Sequence, residues 1–278
     1  MDQEVRITGN GGGACLAAMK SELQIKAAVR GARTYLQHCY YTKPFKVADI
    51  SGSRAGMLHL TMMTASPGIL DGDAYDIRVT LEEDAALHLY TQSYQRIFNM
   101  QHGARQRFHV EMERGSSLCY LPHPAVPHEQ SEFDSASRIE LGEDCRLLWG
   151  EIITCGRKLS GEVFQCKRFQ NILEVYRNGR LLFKDVTVLQ PGMVPPANMG
   201  QWEGYTHQAS LLWHDERQDM TAMGEVLHEC LSAETNITAG VSRTASGALL
   251  LRVLGQGGEQ LYELFKKIAL LAGEERKL

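Results

Sequence analysis

The sequence predicts a mainly β protein of stacked strands, with two α-helices in its C-terminal third. Three observations carry that prediction. A strand–turn–strand pattern recurs four times, the segments around it alternate apolar and polar residues, and only two late stretches space their apolar residues by three to four.

The repeat aligns VTLEEDAAL (79–87), VEMERGSSL (110–118), IELGEDCRL (139–147) and LEVYRNGRL (173–181), with starts 31, 29 and 34 residues apart. Side chains alternate faces along a strand, so Val79/Leu81, Val110/Met112, Ile139/Leu141 and Leu173/Val175 are expected to point inward, with Thr80, Glu111, Glu140 and Glu174 outward. Asp84, Gly115, Asp144 and the Asn178-Gly179 pair stand where a tight turn needs unusual backbone angles. Strands at a near-constant period suggest coils or hairpins stacked on one another, each covering the apolar face of the next. Independent hairpins of a sandwich are the alternative.

The remaining elements follow in order. Residues 9–13 are Gly-rich, but no Lys-Ser/Thr follows, so the tract reads as a turn rather than a phosphate loop. Residues 21–29 and 34–41 read as early strands, and Lys43-Pro44 marks an extended or turn segment. Residues 185–190 form another strand, and LQPGMVPPANMGQW is a loop by its Pro and Gly content. Residues 207–213, 236–242 and 248–254 read as strands. Met220, Met223, Leu227 and Leu231 behind Asp219 predict a helix over about 219–231. Leu261, Leu264, Phe265, Ile268 and Leu271 predict a second over about 259–272.

At 278 residues and 44% hydrophobic, the chain can build a full core, and it reads as one domain over 1–278. A net charge of −4 without charge runs argues against nucleic acid or anionic membranes as partners. No apolar run approaches the ~20 residues of a membrane span and no signal-like N-terminus is seen, so a cytoplasmic location is expected. Seven cysteines lack any CxxC pair and read as buried thiols.

No enzyme signature is present: Gly-x-Ser-x-Gly and HExxH are absent. His123 and His128 flank the turn in LPHPAVPHEQ, where two imidazoles can meet a transition metal or simply sit on a surface loop. Asp71, Asp73 and Asp76 follow Pro67-Gly68, where aspartates favour turns. Glu151, inside the apolar LLWGEIITCG, needs a partner or a cation to offset burial; Arg157 and Glu162 are the nearest candidates in sequence.

Six stretches taken in order resemble one family. They are SPGILDGD (66–73), TQSYQRIF (91–98), LPHPAVP (121–127), EIITCGRKLSGEVF (151–164), GYTHQASL (204–211) and VSRTASGALLLRVLG (241–255). The chain resembles urease accessory proteins of the UreD family, called UreH in some bacteria, over nearly its whole length. Ile69 stands where the family has a second glycine, and Arg96 where it usually has Lys. The resemblance implies a β-rich fold with strands in a right-handed β-helix-like arrangement plus two helices. It also implies a non-enzymatic maturation scaffold that binds apo-urease, the accessory protein UreF and, through UreF, the GTPase UreG. No tightly bound cofactor is expected; Ni²⁺ would pass transiently through an internal passage. On that reading Asp73, Glu151, Glu162 and Asp185 are the candidate nickel-passage residues, since hard oxygen ligands release a cation faster than a closed Cys/His cage. Two other functions compete. A β-helix carbohydrate-active enzyme would need basic companions beside Thr80, Glu111, Glu140 and Glu174, and an interaction module would use the acids only as ion pairs.

Overall fold

The computed structural model describes residues 20–52 and 56–273. The Gly-rich tract at 9–13 and Cys15 lie outside them. Seventeen strands and two helices follow one another along the described chain, together with a short 3₁₀ turn at Lys158–Ser160.

The chain opens with the hairpin β1 (Lys20–Arg30) and β2 (Arg33–Tyr41), then β3 (Phe45–Asp49) and β4 (Leu58–Thr64). Next come β5 (Ala74–Leu81), β6 (Ala86–Thr91) and β7 (Gln95–Ile97), then β8 (Ala104–Met112), β9 (Ser117–Leu121) and β10 (Ala125–Pro127). They are followed by β11 (Glu132–Leu141), β12 (Arg146–Thr154), β13 (Arg168–Arg177), β14 (Arg180–Leu189) and β15 (His207–Asp215). Helix α1 (Met220–Ser232), β16 (Thr238–Arg243), β17 (Leu249–Gly255) and α2 (Gly258–Leu271) complete it.

Two sheets face each other. The first runs β14-β13-β11-β8-β5-β1-β2 and the second β16-β17-β15-β12-β9-β6-β4-β3. Each repeat advances the chain by one strand in both sheets: β5, β8 and β11 lie parallel in the first, β6, β9 and β12 in the second. Short β7 and β10 pair in parallel along a third side, and β10 reaches β12 at Ala125–Ile153.

This corrects the predicted uniform right-handed β-helix-like stack in two ways. Both sheets are mixed, because β2, β14, β3, β15, β17 and β16 pair antiparallel at their margins. The first three repeat units cross between sheets, whereas the fourth folds back in its own sheet as the β13–β14 hairpin. Asn178-Gly179 closes that hairpin with φ of 49° and 72°. The other predicted turn positions also take left-handed angles, 59° at Asp84, 73° at Gly115 and 53° at Asp144. At Gly115 a Cβ would stand 2.1 Å from Asp84 Oδ1, so with its positive φ the position favours glycine. Arg217 Nη2 donates to the carbonyls of Gly115 at 2.8 Å and Asp144 at 2.9 Å, tying two neighbouring turns together.

All eight residues expected to point inward are buried. They join Leu23, Ile77, Phe108 and Trp149 in the core between the sheets. Two of the outward glutamates have basic companions: Arg138 pairs with Glu140 and Lys184 with Glu174, as ion pairs on a solvated sheet face. A second core lies between the outer face of the second sheet and the helices, where Leu148, Ile152, Leu211 and Trp213 meet Leu227 and Phe265. Asp219 caps α1 by accepting from the Thr221 N–H at 2.9 Å. Leu261, Leu264, Phe265 and Ile268 of α2 are fully buried, each contributing about 1.5–3 kcal/mol, while Leu271 is exposed. Gly150 on β12 lets α2 approach, since a Cβ there would meet the Phe265 ring at 2.8 Å.

Candidate functional site

The core between the sheets carries a polar row. Tyr75, Gln106, Ser135, Asn171 and Thr187 are register partners across β5, β8, β11, β13 and β14. Register partners share a face, so the five side chains form one line perpendicular to the strands. The next line inward in the same phase is Ile77, Phe108, Ser137, Leu173 and Asp185. Across the gap, Glu151 on β12 pairs with Ser210 on β15, which pairs with Arg252 on β17.

A cavity of ≈ 70 Å³ lies between these lines, bounded by Gln106, Ser135, Ser137, Asn171, Thr187, Glu151, Gln208 and Ser210 among others. It has room for several waters. A second cavity of ≈ 100 Å³ extends toward Phe45, Met62 and the turn at 66–69. The two share Gln95, Gln106, Tyr120, Pro122 and His123, so they adjoin. His123 also lines a surface pocket with Pro67, Ser93, Tyr94, Arg96 and Glu259. Polar groups thus run through the interior from the Asp185 end to the His123 side.

Glu151 is the carboxylate of this interior. Trp149 Nε1 donates to its Oε1 at 2.9 Å. Protein surrounds Glu151, yet it keeps surface open to a water-sized sphere, because that surface belongs to the internal cavity. Burial pushes its carboxyl above the usual range and the charge of Asp185 adds to this, while hydrogen bonds from Trp149 and Asn171 and the charge of Arg252 oppose it. Burial likewise raises the phenol of Tyr120, with Glu151 contributing.

Of the four predicted passage residues, the structure brings Glu151 and Asp185 to the same end of the interior. Asp185 accepts from Arg252 Nη2 at 2.5 Å. Asp73 is a turn cap behind the row: it accepts from the Leu70 N–H at 2.8 Å and the Tyr75 hydroxyl at 3.1 Å. Glu162 lies apart, in a surface groove with His128, Asn99 and Arg157. Its carboxylate is held by both Arg157 Nε, at 2.8 Å, and Arg157 Nη2, and it accepts from the Glu129 N–H at 3.3 Å. Arg157 and Glu162 therefore satisfy each other, and the partners of Glu151 are Trp149 and Asn171 instead. His123 and His128 belong to different pockets. Among the described residues, no three His, Cys, Asp or Glu side chains are arranged to hold a metal ion. Burial raises the thiols of Cys145, Cys155 and Cys166, the last to about 11, which keeps them protonated.

Sequence reasoning missed the neutral members of the row and Arg252. Their signal was available: Ser135, Ser137 and Asn171 occupy the inward phase of EFDSASRIEL and RFQNILEVYR, where apolar residues belong.

The six stretches that carried the resemblance converge on these cavities. Ile69 bridges to Ile97 of β7, and β7 pairs with β10, so residues 66–73, 91–98 and 121–127 wall one end. Glu151, Gln208, Ser210 and Arg252 bring residues 151–164, 204–211 and 241–255 to the other. A family model described as UreD urease accessory protein matches residues 19–277. A protein of Flavobacterium johnsoniae named urease accessory protein UreD is 45% identical over 252 residues, covering 90% of this chain and 91% of its own. Proteins of the same name from Acetivibrio thermocellus and Actinobacillus pleuropneumoniae serotype 3 are 32% and 31% identical, each over 90% of this chain and 95% and 96% of their own. The chain belongs to the UreD family of urease accessory proteins.

Proposed function

We propose that this protein acts in the cytoplasm as a urease maturation scaffold that binds apo-urease, UreF and, through UreF, the GTPase UreG. Nickel, as cargo, moves through its interior along the polar row. The observation that carries this reading is the row itself. A buried hydroxyl or amide costs about 1–3 kcal/mol unless it is hydrogen-bonded, and Tyr75, Gln106 and Asn171 are paired with Asp73, Gln95 and Glu151, so the line is held polar rather than filled with apolar side chains. Five consecutive register positions keep polar groups, as a hydrated or oxygen-ligated ion requires. Carbonyl, hydroxyl and carboxylate oxygens bind such an ion without trapping it. Glu151 and Asp185 supply charge at one end, while Asp73 supports the row indirectly by holding Tyr75. Glu162, set in its own groove, has no direct part.

The test is urease activation with purified or co-expressed partners. Glu151→Gln and Asn171→Leu are expected to lower urease activity at least tenfold while UreF still co-purifies. Full activation by both variants would remove the passage. Failure of the unaltered protein to co-purify with UreF and urease subunits would remove the scaffold reading as well.

A further inference from the structure

At the Asp185 end of the polar row a positive charge stands beside the carboxylates. Arg252 stands two strands from Glu151, in line with it through Ser210, and its guanidinium reaches across to Asp185 on the facing sheet. Its charge also acts on Glu151. Around this mouth the donors are oxygens: the two carboxylates, the Thr187 and Ser210 hydroxyls and the Asn171 amide. Deeper in the same cavity lie Ser135 and Ser137, 6% and 4% exposed. Hydroxyls lining a cavity are suited to bind what enters it. The Arg252 side chain is 44% exposed and that of Asp185 13%, so the guanidinium can swing into solvent while Asp185 stays at the end of the row.

We infer that the Arg252 guanidinium is a tethered counter-cation that plugs the Asp185–Glu151 end of the row, and that a divalent cation occupies this end only after Arg252 has swung out. The inference deepens the passage reading and rests on it. A guanidinium suits the role because it always carries charge and pairs with carboxylates through planar geometry. The plug keeps Asp185 satisfied and the interior closed to stray cations until a competing ion or a docked surface draws the arginine away.

The experiment is titration of the full-length chain with Ni²⁺ alone by isothermal calorimetry. It compares the unaltered protein with Arg252→Gln, Arg252→Ser, Arg252→Lys and the double variant Arg252→Gln/Glu151→Gln. Removing the charge is expected to create a site at least tenfold tighter than any in the unaltered protein. Arg252→Lys should retain the original affinity, and the double variant should lose the gain. The ten histidines are common to every variant, so only the Glu151-dependent difference counts. Identical isotherms for the unaltered protein and the Gln and Ser variants, at matching melting temperatures, would overturn the plug. So would a gain that survives Glu151→Gln. Urease activation separates this failure from that of the passage. Unchanged isotherms with activation lost in Glu151→Gln remove the plug and leave the passage. A Glu151-dependent gain with full activation by Glu151→Gln and Asn171→Leu removes the passage and leaves a cation site at the mouth.

Discussion

Replacing Glu151 with Gln keeps the side chain's size and its acceptor for Trp149, but removes the charge. The variant therefore isolates the cost of an ionised carboxylate in this interior. Burial first, then Asp185, raises the folded-state pKa of Glu151 above its value in the unfolded chain, about 4.3. Between the two values the folded protein carries more protons than the unfolded one. Stability therefore falls as pH rises through that window, by at most about 1.4 kcal/mol per pH unit. A single carboxyl exchanges at most one proton, so this figure is an upper bound. For a chain of this size 1 kcal/mol moves the melting temperature by roughly 2–4 °C, which puts the steepest separation at about 3–5 °C per pH unit. Thermal melts of both proteins from pH 4 to 8 check it. The two curves should lie close together at pH 4, and the variant should become the more stable as pH rises. Taking their difference removes every other titrating group. Parallel curves, or a gap that opens in favour of the unaltered protein at high pH, would show that Glu151 ionises here without cost and would refute the argument.

Two further outcomes follow from the same geometry. A methyl on Gly68 would lie 2.4 Å from the Arg96 carbonyl oxygen and 2.8 Å from the Phe98 ring, so Gly68→Ala should cost about 1–3 kcal/mol, read as a lower urea midpoint at unchanged slope. His207 is 8% exposed, and burial lowers its pKa from 6.5 to about 4. Its folded state then binds fewer protons than the unfolded chain, so stability falls as pH drops from 6.5 toward 4, opposite in sense to Glu151. His207→Gln should flatten that acid limb in the same melts.

Much of the fold is legible because period-two alternation and turn chemistry are local. The inward phase of each repeat, the left-handed turns at Asp84, Gly115 and Asp144, and the helix capped by Asp219 all follow from neighbours in sequence. Which sheet the returning strand joins does not. Asp84 and Asp144 turn the chain onto the facing sheet, while Asn178-Gly179 turns it back beside β13, and both need only a residue that tolerates positive φ. The same limit governs the site. Glu151 stands out as a charge in an apolar strand, but Asn171 reaches it from the other sheet, and the nearer Arg157 and Glu162 are consumed by each other. Asp73, a candidate passage residue by the resemblance, instead spends its carboxylate on the Leu70 N–H and the Tyr75 hydroxyl, as turn aspartates do.

The repeat and the polar row have one physical cause. Parallel strands keep their register from coil to coil, so Tyr75, Gln106 and Ser135, each four residues before the start of its repeat, align across the sheet; on β13 the register pairs Ile139 with Val175, two residues on from the sequence alignment, and so brings Asn171 into the line. Slipping one strand by a single residue would turn its polar side chain to solvent and break the line. The register shifts in the first sheet fall at Lys26/Ala27 and Val175/Tyr176, both outside the row, so Tyr75 through Thr187 stay aligned. The fourth unit differs from the others for the same reason. By folding back as a hairpin it places Thr187 in line with Asn171 and brings Asp185 to the sheet's margin, where Arg252 can reach it. A fourth crossing would have sent those two residues to the facing sheet and left the row without its mouth.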